Sequence, residues 1–320
     1  MAKTKISDVI VPEVFGAYVI AQTTEKNALI DSGIMVPNER LSEFLLGGGS
    51  TVNLPRWNVI SGDDEVLSDS TPLTPGKNDA GNQIATRLLR GRAWSTNELA
   101  GVFAGSDPAK AIAQQLGAYW KGVQQNILLS TLKGAFGGAL ASTYVKDISS
   151  GSGTAAIISA TATLDTKQLL GDAAGQIVAV MMHSATKTEL QKQNLIENIP
   201  NARGEIVFQS YLGYRIVEDD RMPVNSGVYD TYFFTAGAIG YANVIPETLT
   251  AVETDRDSLQ GDDFMINRQC LAMHPAGLNW KGMPAESTPT NAELSTATNW
   301  DLAYTDPKEI GLLCLRHKLT

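Results

Sequence analysis

The chain has 320 residues, with 34 Asp and Glu against 25 Lys and Arg, for a formal net charge of −9. A chain of this length buries roughly three quarters of its unfolded surface and needs no disulfide or metal to hold a core. The acidic balance argues against a nucleic-acid binder working through a basic footprint, though not against a protein that sits beside DNA without adhering to it.

Charged residues make up only 18% of the chain, below the ~25% of ordinary soluble domains. A surface given over largely to interfaces, where charge is depleted, is one reason for such a deficit. Cys270 and Cys314 cannot form a disulfide framework; a single bridge is the alternative to the expected pair of free buried thiols in a reducing compartment. Lys3 and Lys5 are followed by no apolar h-region, which argues against a signal peptide. No apolar run reaches the ~18 residues of a membrane span.

In chain order, residues 1–46 read as an arm. Val9–Val14 is apolar but broken by Pro12, and a modest helix over Phe15–Asp31 would carry Tyr18, Ala21, Ala28 and Leu29 on its apolar side. Pro37 and Gly47-Gly48-Gly49 are the next breaks in the chain. Thr51–Ile60 then reads as a strand with Val52 and Leu54 on one face and Trp57 and Val59 on the other. Pro55 marks it as an edge or bulged strand. Its expected partner is Gln83–Ser95.

The 22 residues between them, Ser61–Asn82, are almost all Ser, Asp, Thr, Pro, Gly and Asn. A structureless connection that long needs a function. Its tip holds Asp63, Asp64, Glu65, Asp69 and Asp79 against Lys77, while the return strand holds Arg87, Arg90 and Arg92 without an acid. An isolated hairpin is marginal in water. This one is therefore expected to rest on another surface. The plain alternative is a solvated hairpin whose charges meet only water.

Asp107-Pro108 offers an N-cap and a proline at the first helical position. Ile112, Leu116, Trp120, Val123, Ile127 and Leu132 recur at helical spacing, so Pro108–Gly134 reads as a helix roughly 40 Å long, ended by Gly137-Gly138. Its one apolar stripe suits a spine lying against a sheet. After a Ser/Gly segment at Ser149–Thr154, helices are expected at Asp165–Ala174 and Thr186–Gln193, and a buried strand at Ile177–Met182. Short strands come next at Glu205–Phe208, Tyr214–Val217, Tyr232–Phe234 and Ile239–Asn243. Leu249–Trp280 reads as a long β-hairpin, and the tail from Met283 to Pro307 leads to a last strand at Ile310–Leu315. This mixture is α+β, not a regular βαβ series.

Chemistry is sparse. Gly47-Gly48-Gly49 and Gly151-Ser152-Gly153 fit neither GxGxxG nor GxxxxGK[ST], and no GxSxG elbow occurs. Asp63-Asp64, Asp219-Asp220 and Asp262-Asp263 are acid pairs, but neighbours on a strand point to opposite faces. Asp255-Arg256-Asp257 begins like a calcium loop, yet Leu259 stands at the third ligand position. Cys270 with His274 and Cys314 with His317 offer a conceivable zinc set; buried thiols and surface imidazoles are the more economical account. His183 has no evident nucleophile beside it. No enzyme, cofactor or metal is expected.

The order of elements, with SYLGYRIVEDDRMP (Ser210–Pro223) and TDRDSLQGDDFMINRQCLAMHPAGLNW (Thr254–Trp280), resembles the major capsid proteins of tailed double-stranded DNA bacteriophages, with their HK97-like fold. The resemblance implies an N-terminal arm (1–46), an extended loop (47–99), a peripheral domain with the spine helix (100–153), an axial domain (154–246), a peripheral hairpin (247–282) and a C-terminal extension (283–320). The extension is expected to add a strand to the peripheral sheet. The extended loop would lie across a neighbouring subunit, with Arg56, Trp57, Asp63, Asp64, Glu65, Lys77, Arg87, Arg90 and Arg92 as its contact residues and Arg87, Arg90 and Arg92 expected to pair with that subunit's acids. It further implies pentamers and hexamers in an icosahedral shell, built in the bacterial host cytoplasm and found in the virion capsid. Packaged DNA would lie in the lumen without sequence-specific contact, and no membrane is involved. A portal, a cement or decoration protein and, because the arm begins within the first dozen residues, a separate scaffolding protein are the implied partners. Some relatives crosslink a loop lysine; Lys77 is the one lysine of this tip, and a solvated charge is its bland reading. The alternatives are an encapsulin-like nanocompartment shell, a tail or decoration component, and an enzyme with a carboxylate site.

Overall fold

The computed structural model describes residues 34–319, apart from Val59, Ser61, Ser68, Thr71, Asp79, Thr305 and the stretches 105–107 and 201–205. The expected arm helix at Phe15–Asp31 and the cap at Asp107 lie outside the described residues. The chain enters through β1 (Met35–Pro37) and a helix at Glu39–Leu46, here the entry helix, followed by β2 (Thr51–Trp57), β3 (Ala80–Thr86) and β4 (Leu88–Asn97). A short helix (Glu98–Ala104), the spine helix (Pro108–Gly137) and β5 (Val145–Asp147) come next. A helix at Ala160–Lys167 leads to β6 (Ile177–Met182), and another at Ser184–Lys192 to β7 (Ile196–Pro200), β8 (Ile206–Tyr211), β9 (Tyr214–Glu218), β10 (Val224–Asn225), β11 (Val228–Thr235) and β12 (Ile239–Asn243). The last part holds β13 (Val252–Asp257), β14 (Asp262–Pro275), β15 (Leu278–Trp280), one turn of helix at Asn291–Leu294, β16 (Trp300–Leu302) and β17 (Leu312–His317).

Two sheets organise these elements. The larger runs β5-β17-β11-β6-β9-β8-β7, with β10 added on β11. Its centre is apolar on both faces: β6 is the run IVAVMM, and Tyr232, Phe233 and Phe234 of β11 and Leu312, Leu313 and Leu315 of β17 are all buried. A strand covered on both sides has no reason to alternate, so it reads as a continuous apolar run. The smaller sheet is built on β14, whose first half is flanked by β13 and β4 and whose second half pairs with β12. β12 in turn carries β1 in parallel.

The spine helix changes character along its length. Ile112, Leu116 and Val123 are half-buried, whereas Trp120, Ile127, Leu128, Leu129, Leu132, Ala135 and Phe136 are buried. The expectation of one apolar stripe therefore describes only the first part. The last three turns are enclosed because the larger sheet lies on one side, where Phe136 stacks on Tyr232 with ring centroids 4.8 Å apart, and the tail lies on another. A Cβ at Gly134 would come within 2.1 Å of the Leu294 carbonyl oxygen, so glycine lets the tail pack directly on the helix backbone.

Three expectations need correction. Gln83–Ser95 is not one return strand: it is β3, pairing with β2, and then β4, pairing with β14. Arg87 stands at the junction, where the chain leaves one sheet and enters another. The last strand does not extend the sheet of the long hairpin; β17 sits between β5 and β11 in the larger one. Its apolar residues alternate with nothing polar until Arg316, which suits a central strand rather than an edge. The strand Ile239–Asn243, expected within the axial stretch, belongs instead to the smaller sheet. The entry helix was not foreseen, although Asn38 caps it by accepting from the Leu41 amide and Gly47 ends it.

Candidate inter-subunit surface

The β2–β3 hairpin runs in register from Thr51 opposite Thr86 to Trp57 opposite Ala80. Val52 and Leu54 turn toward the entry helix and pack on the cluster of Leu41, Phe44, Leu45, Ala85 and Cys270. Arg56 shares their face, since side chains two apart on a strand point the same way. Trp57 points away and is 69% exposed. Beyond it the tip displays Ile60, Val66, Leu67 and Leu73, with Val66 at 92% exposure. Asp63, Asp64, Glu65 and Lys77 are exposed as well, and a Glu65 carboxylate oxygen accepts from the Thr74 amide at 2.9 Å. Apolar side chains this open, beside a cluster of acids, suit a surface that meets another surface.

Of the predicted contact arginines, only Arg92 is exposed. Arg87 donates to the carbonyls of Phe44 (2.8 Å) and Gly47 (2.5 Å), and its guanidinium lies over the Phe44 ring at 5.0 Å. It thus satisfies the open C-terminal carbonyls of the entry helix. Arg90 donates to Pro289 O at 2.5 Å and to Thr288 Oγ1 at 3.3 Å, and burial holds its pKa below the ordinary arginine value. Within this subunit, then, Arg87 and Arg90 are both engaged by backbone carbonyls. Arg56 is also engaged within the chain: it pairs with Glu309 and stacks over Tyr304, 3.9 Å from the ring centroid. The Tyr304 hydroxyl donates to Gln83 Oε1 at 2.9 Å, Gln83 Nε2 donates to Pro275 O at 3.1 Å, and the Ile84 amide donates to Asn279 Oδ1 at 2.8 Å. Tyr304 and Glu309 sit in a tail whose composition marked only a loop, so nothing local announced them.

The spine-helix residues face the smaller sheet at one end and the larger at the other. Ile112 lines a hollow of about 430 Å³ with Trp94, Phe264 and Met265. Trp120 is edge-on to Tyr119, which is edge-on to Trp94, each pair at 5.3 Å. Val123 packs beside Ile127 on the main core.

The acid pairs do not converge. Asp219 is buried and accepts from Gln125 and from the Arg221 amide, while Asp220 accepts from the Ser184 amide at 3.4 Å. Asp262 accepts from Asn97 at 2.7 Å, and Asp263 faces Arg256. Cys270 and Cys314 are buried, and burial pushes both thiols up. Their neighbours correct the expectation of surface imidazoles. His274 is 3% exposed, with Nε2 at 2.8 Å from Leu278 O, and His317 is fully buried, with Nε2 at 3.0 Å from Thr231 Oγ1. Desolvation lowers each to about 4. His183 accepts from the Ala185 amide at a helix N-terminus. Among the described residues no three His, Cys, Asp or Glu side chains are grouped to hold a metal, and no helix is long and apolar enough to cross a membrane.

Comparison with known proteins joins these features. The chain is 42% identical to the major capsid protein of Bacillus phage SPP1 over 328 aligned positions, covering 100% of this chain and 99% of that one. Its fold matches the capsid of Ralstonia phage GP4 with a TM-score of 0.58 at 8% identity, over 90% of this chain and 87% of that one. It matches Mycobacterium phage Patience with a TM-score of 0.54 at 10% identity, over 100% and 94%, and the capsid of cyanophage Pam1 with 0.54 at 12%, over 87% of each. The fold is thus HK97-like. A family model described as Gp13-like, major capsid protein 13-like, matches residues 100–311. With that match and the full-length identity, the chain belongs to the Gp13-like major capsid protein family.

Proposed function

We propose that the chain assembles as pentamers and hexamers into an icosahedral shell around the double-stranded DNA of a tailed phage. The full-length 42% identity to the SPP1 major capsid protein carries this reading. In it the β2–β3 hairpin lies across a neighbouring subunit, with Trp57, the apolar tip and the acids Asp63, Asp64 and Glu65 as its contact surface and Lys77 at its margin. The open apolar side chains support that role, because water is a poor partner for them. Arg92, exposed on β4, would meet a neighbour's acid. The smaller sheet with the first part of the spine helix serves as the peripheral unit, and the larger sheet as the axial one that meets its symmetry mates. Closed symmetry lets many weak contacts of this kind hold a shell together.

The chain's role is structural rather than catalytic; Asp219, Asp220, Asp262 and Asp263 are each tied to separate partners, which supports that reading. DNA in the lumen is repelled rather than gripped by a subunit of net charge −9. A portal, a scaffolding protein and a cement protein complete the set of partners, and assembly takes place in the host cytoplasm. Size-exclusion chromatography with light scattering, followed by negative-stain imaging, tests the reading on the chain expressed with its scaffold. Round shells or five- and six-fold capsomers are expected. A persistent monomer under those conditions would sink it. Shells loaded with an enzyme instead of a genome would point to a nanocompartment.

A further inference from the structure

We propose that Arg56, Tyr304 and Glu309 form a latch that sets the direction of the β2–β3 hairpin, and with it the geometry of the assembled shell. The inference rests on reading the chain as a shell subunit. Its observation is local. The hairpin leaves the body at Thr51 and Thr86, where Arg87 holds the entry helix. Further along, Val52 and Leu54 pack on the entry helix, Ile84 and Gln83 bond to Asn279 and Pro275, and Arg40 donates to Pro55 O at 3.3 Å. Those contacts end before the last paired residues, so without a further hold the outer hairpin would swing. Arg56 sits at the other end of the paired strands, opposite Gly81, and the tail grips it there.

Arg56 lies five residues beyond Thr51, a lever of roughly 17 Å at the rise of a strand. A rotation of only ~10° about the base would move Arg56 by about 3 Å, and the tip further. Contacts between subunits need better register than that, because side-chain packing fails at gaps of an ångström. Holding the hairpin far from its pivot is therefore the efficient way to fix its direction. The guanidinium suits this role because its plane stacks on the Tyr304 ring while one edge meets the Glu309 carboxylate, a geometry lysine does not reproduce. Tyr304 passes the restraint to the return strand through Gln83, so both strands are held. Arg56 and Glu309 keep only 29% and 21% of their side-chain exposure, which strengthens the pair over an open surface bridge.

The tail itself is anchored. Trp300 donates to Leu294 O at 2.8 Å beside Gly134 of the spine helix, Lys308 pairs with Asp172 at 2.8 Å, and β17 comes immediately after in the larger sheet. The latch thus ties hairpin direction to both sheets. It also gives the C-terminal extension a role.

Hydrogen exchange on the unassembled full-length chain tests the idea. Glu309→Gln and Arg56→Ala are each expected to speed exchange of the amides in 51–57 and 80–86 about tenfold, with the spine helix unaffected. The double variant should be no worse than either single one, as befits one coupled pair. Should Arg56→Ala fold poorly, the near-isosteric Glu309→Gln decides. In assembly with scaffold, both variants should yield shells of mixed diameter or open sheets at an unchanged unfolding midpoint. Unaltered exchange, additive effects, or uniform normal shells despite faster exchange would each overturn the latch. Exchange is read before assembly, so a parent chain that forms no shells would count against the capsid reading and leave the hairpin result to stand alone.

Discussion

Arg87, Arg90 and Arg92 lie close together in the sequence and look alike there, yet only one keeps an open guanidinium. The other two are spent on carbonyls at Phe44, Gly47 and Pro289. Hydrogen bonds to charged groups are worth about 1.5–3 kcal/mol each, and reversing such a charge leaves carbonyls facing a carboxylate. Arg87→Glu is therefore expected to cost about 2–4 kcal/mol in urea unfolding, and any assembly defect would merely result from that. Arg92→Glu should leave the unfolding curve in place and still impair shell formation. Sedimentation of the two variants beside their unfolding curves separates the cases; normal shells from Arg92→Glu would remove it from the interface. That the sequence did not distinguish the three has a simple cause. Strand alternation tells which face a side chain takes, but not whether a helix end or a tail waits on that face.

Among elements, the spine helix, the long hairpin and the central strands were legible because each has a signal within its own residues. Pro108 opens the helix and Gly137-Gly138 closes it; IVAVMM is apolar throughout, and all of it but Val178 is buried. The entry helix carried its signal too, with Asn38 before it and Gly47 after it, but eight residues are too few for periodicity to stand out. The close contact at Gly134 was not legible at all. Gly134→Ala drives a methyl into the Leu294 carbonyl, and overpacking of this kind costs about 1–3 kcal/mol or more. The expected result is a clear drop in the urea midpoint, whereas Gly117→Ala, with open space around it, should if anything stabilise the helix. At the hairpin, replacing residues 58–79 by a two-residue Asn-Gly turn should leave the body folded, since the described tip residues are exposed throughout. Circular dichroism should be unchanged and assembly lost. Shells from the shortened chain would show that the tip is dispensable.

At the scale of the whole molecule, each sheet carries one buried histidine, His274 in the smaller and His317 in the larger. Both sit near a pKa of about 4 when folded, against about 6.5 when unfolded. Between those values the unfolded chain binds more protons, so stability rises with pH. It should be full above about 6.5 and fall as the pH drops toward about 4, by about 3 kcal/mol for each histidine at the limit. Urea titrations from pH 7.5 to 4.5 should show the slope, and His317→Gln should make it shallower; an unchanged slope would mean that carboxylates alone cause it.

The sequence by itself determined the α+β class, the acidic surface, the spine helix, the projecting hairpin and the family resemblance. All of these reside in composition, periodicity or contiguous motifs. Tertiary structure alone decided that β17 joins the larger sheet, that two arginines cap backbone, and that Tyr304 and Glu309 hold Arg56 from some 250 positions away in the chain. Such contacts are chosen by which surfaces meet once the core has formed. A single strand or tail carries no local energy that favours one partner over another, so only the packed whole selects it.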